Sequence, residues 1–413
     1  MFKSNLLVVI KNIFRLFLLL LVLGSCSSEG VHLRPGIWRA TLEVQDGKEL
    51  PFNLEFSEEN TIRIFNAEEV IEIEDIIIEG DSIIIEHPVF EGVFKGTFSE
   101  EKIKGNFIKP SLDRVVPFEM NYGTSTRFID TKNATETVSG EWEMIFSAHS
   151  EEDRYIGKGI FDQKEDGRVT GTIRTITGDY RFLEGAMDGD TMKLSTFDGA
   201  HAFLFEAEVK DSLMYGFFYS GNHWKEPFSA VLNPNYELPD AHTLTFLKEG
   251  YESLDFAFPD THGDTISLQD KRFQNKVVVV QIMGTWCPNC LEETEYYTNY
   301  LRENPSEVLE FISLAFEYAP TKARAIRSVQ KLQNSLNVPY PILIAQYGSS
   351  SKQKANEKLP MLNHVLSYPT TIFIDKKGTI RKIHTGFNGK ATGEKYDEFT
   401  REFESFLSQL LME

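Results

Sequence analysis

The stretch Val277-Val278-Val279-Val280-Gln281-Ile282-Met283-Gly284-Thr285-Trp286-Cys287-Pro288-Asn289-Cys290-Leu291-Glu292-Glu293 changes pattern twice. It opens with a run that is apolar apart from Gln281, which reads as a buried strand bounded by Gly284. It then places two cysteines around a Pro-Asn pair, and Pro288 suits the first position of a helix because it has no N–H to leave unpaired. Two thiols separated by two residues where a strand turns into a helix come close enough for one strained, reversible disulfide. Free backbone N–H groups and the helix dipole favour the thiolate of Cys287, the expected nucleophile. Cys290, one turn further in and less exposed, is expected to attack the resulting mixed disulfide and release the product.

Outward from this motif the C-terminal part alternates strand and helix, as an α/β sheet does. Val277–Met283 is a strand and Pro288 to Glu303 a helix ended before Pro305; Leu309–Phe316 is a second buried strand and Thr321–Leu336 a second helix. Ile342–Ala345 is short and apolar, and Ser350–Leu366 is expected to contain another helix. Thr370–Asp375 and Thr379–His384 form a hairpin around Lys376-Lys377-Gly378, before a closing amphipathic helix, Glu394–Leu411.

Upstream, from Val31 to Leu232, the chain is written in short alternating apolar and polar runs broken by Gly, Asp and Asn, the pattern of strands and tight turns. Asp75, Asp81 and Asp190 are read as turn residues. This part looks duplicated. Gly36-Ile37-Trp38 is answered by Gly140-Glu141-Trp142, Gly80-Asp81-Ser82 by Gly189-Asp190-Thr191, Gly105-Asn106-Phe107 by Gly216-Phe217-Phe218, and Pro117-Phe118 by Pro227-Phe228. The offset of about 105–110 residues suits one small β-domain per copy rather than a solenoid. The fold class expected is therefore multidomain: two N-terminal all-β domains, barrel or sandwich, followed by an α/β domain. The expected divisions are a leader over 1–25, a first β-domain with a short tether over 26–135, a second over 136–240, a linker over 241–253, and the α/β domain over 254–413. The aromatics of the β-domains, Trp38 and Trp142 among them, are read as core.

The chain begins with Lys3, Lys11 and Arg15, no acidic residue before Ser25, and the apolar run Leu16–Leu23. That is the layout of a secretory signal peptide; the run of about 8 residues falls short of the roughly 20 needed to span a bilayer. Leu23-Gly24-Ser25-Cys26 resembles the lipobox of bacterial lipoproteins, which implies lipid attachment at Cys26 and a body tethered to the cell envelope but outside the cytoplasm. Asp and Glu number 62 against 42 Lys and Arg, a net charge of −20. This balance argues against nucleic acid or anionic lipid as partner and for solubility. With Cys26 lipidated, the remaining two of the three cysteines are the close pair, which points to chemistry rather than to a structural disulfide framework.

Gly284-Thr285-Trp286-Cys287-Pro288-Asn289-Cys290-Leu291-Glu292-Glu293 resembles the active site of the TlpA-like branch of the thioredoxin superfamily. Ile266-Ser267-Leu268 before Lys276-Val277-Val278, and Tyr368-Pro369-Thr370-Thr371-Ile372-Phe373-Ile374-Asp375 before Gly378, extend the resemblance over Leu254–Glu413. The resemblance implies a thioredoxin-like fold and a cis bond before Pro369, which would face the disulfide. It further implies that Tyr368 and Trp286 contact an incoming thiol or peptide. Thioredoxin itself has a buried aspartate where this chain has Gln281, whereas the TlpA-like branch carries a glutamate at the place of Glu293, a candidate for exchanging a proton with Cys290. Glu317, at the end of the second buried strand, has two readings, a group that approaches the site and a loop acid, and is read as the loop acid.

The activity so implied is reduction of disulfides in extracytoplasmic proteins, with a membrane-linked electron donor to recharge the dithiol and no cofactor. Two other readings compete. A peroxiredoxin-like peroxidase would want a threonine three positions before its cysteine, whereas Thr285 stands two before Cys287. A ligand- or partner-binding lipoprotein would carry the redox domain as an accessory. No metal is expected: Cys287 and Cys290 are two ligands where tetrahedral zinc takes four, and His364 and His384 lie in ordinary helix and hairpin contexts.

Overall fold

In a computed structural model, residues 33–129 and 131–413 are described; the expected leader, Cys26 and the start of the tether lie outside them. Alternating apolar residues drive two successive antiparallel meanders. In the first sheet nine strands follow one another from Gly36–Glu43 to Arg114–Tyr122, and the first strand pairs with the last as well as with the second. The curl stops short of closure between Glu69–Ile73 and Ile76–Glu79, which stand at the two ends of the strand order. The second sheet runs from Gly140–Phe146 to Trp224–Leu232 in the same manner, but Tyr155–Gln163 pairs on both sides, with Gly140–Phe146 and with Arg168–Thr175, so the barrel closes.

The inward positions are the alternating apolar ones, Trp38, Ala40 and Leu42 in the first sheet and Trp142, Met144 and Phe146 in the second, all buried. The duplication extends to atomic detail. Trp38 Nε1 donates to the Arg34 carbonyl at 3.0 Å and Trp142 Nε1 to the Val138 carbonyl at 2.9 Å, the same four-residue reach in each copy. Gly36 and Gly140 both sit at φ 125°, a conformation that side chains strongly disfavour. The barrels pack together through Phe197, stacked on Phe52 at 4.6 Å, and through the buried Arg127, which reaches Glu184 Oε2 at 3.1 Å.

The remaining core is a five-stranded sheet in the order Ile342–Gln346, Leu309–Phe316, Val277–Met283, Thr370–Ile374, Ile380–Thr385. The first two pairings are parallel and the last two antiparallel. Helices Pro288–Glu303, Lys322–Leu336 and Glu394–Met412 flank it. Val277–Met283 is buried at every residue, which is why its sequence carries no polar alternation. Within 350–366 only Lys352–Lys358 is helical: Leu359 caps it outside helical geometry, and Pro360 follows, a residue before which helical backbone is disfavoured. The residues between barrel and sheet form a docked connection, in which Ala241–Leu244 makes one helical turn capped by Asp240 and Thr385 Oγ1 donates to Thr245 Oγ1 at 2.9 Å. No helix among the described residues is long and apolar enough to cross a membrane.

Candidate active site

The buried strand Val277–Met283 delivers the chain into the sharp turn Gly284–Trp286, where a β-carbon on Gly284 would fall 2.4 Å from Trp286 Nε1. Cys287 is the N-cap of helix Pro288–Glu303, with extended φ/ψ of −101°/114°, and its Sγ accepts from Cys290 N at 3.2 Å. A sulfur in that position satisfies one of the N–H groups that every helix start leaves open. Both cysteines are free thiols; Cys287 is 8% exposed and Cys290 fully buried. Burial first, then the hydrogen bond and charge of Cys287, hold the Cys290 thiol well above its ordinary pKa, so Cys290 rests protonated.

Cys287 Sγ donates to the Tyr368 carbonyl at 3.4 Å, and the Tyr368–Pro369 peptide is cis. Trp286 Nε1 donates to the Phe316 carbonyl at 2.9 Å, and its ring meets Tyr368 edge-on with centroids 5.5 Å apart. The fold thus brings Trp286, Cys287, Cys290, Tyr368 and Pro369 together. Glu293 lies on the same helix, deeper and fully buried. Its carboxylate accepts from Gln281 Nε2 at 2.8 Å, the Tyr297 hydroxyl at 2.9 Å and Thr371 Oγ1 at 3.0 Å. Burial pushes it up to about 7 against the pull of these three donors. A carboxyl so placed can both take and return a proton near neutral pH. Gln281 is held in turn by Ser313 Oγ at 2.7 Å and Thr294 Oγ1 at 3.1 Å.

The loop-acid reading of Glu317 is corrected. It is buried and accepts from Thr285 N at 2.8 Å and Thr285 Oγ1 at 2.7 Å, bracing the turn that leads into Cys287. Burial pushes it too up to about 7. Its place at the end of a buried strand was the signal available in the sequence. His384 is also buried, with Nδ1 3.1 Å from His242 Nε2 and away from the thiols' own hydrogen-bond network.

What sequence reasoning missed is the part taken by the β-region. Asn289, between the cysteines, donates from Nδ2 to the Asp179 carbonyl at 3.0 Å, and Gly389 N donates to Asp179 Oδ2 at 2.6 Å. Arg181 donates to Glu292 Oε2 at 2.9 Å and the Pro288 carbonyl at 3.2 Å, and also pairs with Glu69 of the first sheet. Ser367 Oγ donates to the Thr177 carbonyl at 2.7 Å. Val89 and Phe90, from a turn of the first sheet, share one buried apolar cluster with Cys287 and Tyr368. Partners so distant along the chain leave no local pattern to read.

Comparison with known proteins agrees with this geometry. The Redoxin family model matches residues 248–398. Thioredoxin-like protein YneN of Bacillus subtilis is 28% identical over 140 residues, covering 34% of this chain and 73% of that protein. Thiol-disulfide oxidoreductase ResA of Geobacillus kaustophilus is 28% identical over 154 residues, 37% of this chain and 79% of its own length. The ResA of Halalkalibacterium halodurans is 24% identical over 159 residues, 37% and 78%. Behind two barrel-like all-β sheets, residues 248–398 thus form a thioredoxin-like Redoxin domain, and the relatives that match it include a thioredoxin-like protein and thiol-disulfide oxidoreductases.

Proposed function

We propose that the chain reduces disulfides of extracytoplasmic proteins through the Cys287–Cys290 dithiol, from a lipid anchor at Cys26. The observation that carries the redox reading is the asymmetry of the pair: a capping sulfur at the helix start, and a buried, protonated sulfur one turn behind it. The Cys287 thiolate attacks one sulfur of a substrate disulfide and expels the other as a thiolate, which is protonated. Cys290 gives its proton to the Glu293 carboxylate and its sulfur attacks Cys287, expelling the second substrate sulfur as a thiolate; that thiolate takes the proton held on Glu293, while the first was protonated by water. Two electrons and two protons have then passed to the substrate, and the Cys287–Cys290 disulfide must be recharged by an external dithiol, here a membrane-linked donor. Tyr368 and the cis peptide at Pro369 offer the incoming chain backbone groups beside Cys287, and Trp286 supplies an aromatic wall.

The reading is tested by equilibrating the protein with glutathione or dithiothreitol. A potential near about −270 mV agrees with a reductase, and one near about −120 mV reverses the direction to disulfide donation. Cys290→Ser should trap the mixed disulfide on Cys287, and Cys287→Ser should abolish turnover; measurable turnover by Cys287→Ser would end the proposal. Lipid labelling that persists in Cys26→Ala would overturn the anchor.

A further inference from the structure

Exchange at Cys287 requires a disulfide to approach its sulfur freely, yet Cys287 is only 8% exposed, and segments from both β-sheets pack against the elements around it. Val89 and Phe90 of the first sheet, each 5% exposed, belong to the same buried cluster as Cys287 and Tyr368. From the second sheet, the turn Ile176–Arg181 bridges the three segments that frame the site. Thr177 is bonded to Ser367 beside the cis peptide, Asp179 to Asn289 between the cysteines, and Asp179 again to Gly389 in the loop after Ile380–Thr385. The approach is backbone-close. A β-carbon on Gly178 would fall 2.4 Å from Asn289 Nδ2, and one on Gly386 would fall 3.0 Å from the Thr177 carbonyl carbon. Arg181 fastens the turn by its ion pairs to Glu292 and Glu69.

Beside the motif lie a cavity of about 240 Å³ against Trp286 and another of about 440 Å³ against Pro288 and Leu291. Such volumes admit small molecules. A folded protein partner needs a contact patch of about 800 Å² on each side, far more than either cavity's mouth.

We propose that the two β-sheets form a size filter over the dithiol, with Val89, Phe90, Gly178 and Arg181 as specificity-determining residues. Small disulfides reach Cys287 in the closed arrangement, while a disulfide held in a folded protein reacts only when the Ile176–Arg181 turn lifts. This rests on the oxidoreductase reading above and sharpens it by making access, rather than reactivity, the step that selects clients.

The reduced full chain is treated with N-ethylmaleimide or with a polyethylene-glycol maleimide, and modification of Cys287 is read by peptide mass. The bulky reagent should lag the small one by at least ~10-fold more than it does in urea, because it waits for local opening. Gly178→Val and Arg181→Ala should bring that lag down to the urea value. Independently, pre-reduced protein is oxidised in a single turnover by hydroxyethyl disulfide or by insulin, each accepting two electrons and two protons. The insulin-to-small-disulfide rate ratio should rise at least ~10-fold in the two variants. Equal lag in the native parent and in urea would overturn the filter, with no reliance on the variants folding. An unchanged rate ratio in variants that still oxidise with the small disulfide would overturn it as well. Failure of the parent to oxidise with either disulfide would defeat the oxidoreductase reading instead, while the maleimide comparison would still judge the filter.

Discussion

The two β-sheets are copies of one plan that have been put to different uses. Each begins with a glycine at φ 125°, buries a tryptophan that donates to the carbonyl four residues back, and returns its last strand beside its first. They differ in closure and in their turns. The second sheet is sealed by Tyr155–Gln163 against Arg168–Thr175, whereas the first is open between Glu69–Ile73 and Ile76–Glu79. The second sends a polar turn, Thr177 to Arg181, onto the CxxC helix; the first sends an apolar one, Val89 and Phe90. A shared frame is thus kept by core residues, while the parts that face the thiols are free to diverge because turns carry little of the packing.

That comparison can be broken at its strongest point first. Trp38→Ala and Trp142→Ala should each cost about 3–5 kcal/mol of unfolding free energy, by denaturant titration, since both rings are fully enclosed. Costs that differ by more than about 2 kcal/mol would show that the two frames are not equivalent.

Asp179 sharpens the contrast. Burial, then the Glu292 charge, raises it to about 6 from the usual 3.8. The folded state therefore binds its proton more tightly than the unfolded chain does. Its contribution is fully present below about pH 4 and is lost as the pH rises through about 6, an effect on the order of 2–3 kcal/mol. Asp179→Asn should flatten stability over that window, leaving the further loss up to about pH 7 that Glu293 and Glu317 contribute with the same sign. A pH profile unchanged by Asp179→Asn would remove this distinction between the sheets.

Gly36→Ala and Gly140→Ala should cost about 1–3 kcal/mol each, because the added methyl meets both a disfavoured backbone angle and a neighbour, Tyr122 or Leu232. The smallest effect expected is kinetic. Amide exchange in Glu69–Ile73 and Ile76–Glu79, at the open edge, should outpace that in Tyr155–Gln163, which is paired on both sides.

Several elements could be read directly from residue patterns. Val277–Met283, Pro288–Glu303 and Leu309–Phe316 occupy the spans their apolar runs and prolines indicate, since an unbroken apolar run and a helix stop are local signals. The duplicated glycine, tryptophan and proline pairs likewise announced two similar β units. The helix expected within 350–366 is Lys352–Lys358, and it stops before Pro360, a local signal of the same kind. Glu317 was misjudged because an acid at a strand end is usually solvated, and only the fold supplies the Thr285 amide and hydroxyl that hold it inside.

The chemistry, then, belongs to the linear chain: a strand, a turn, and two thiols one helical turn apart are set by neighbours within a few residues, and so is the proline that opens the helix. Access to that chemistry belongs to the tertiary structure. Val89, Asp179 and Arg181 pack against or bond the segments around the CxxC motif across separations of 100 residues or more, roughly the span of a whole domain. Such contacts are decided by how preformed surfaces fit, a property that no local run of residues encodes.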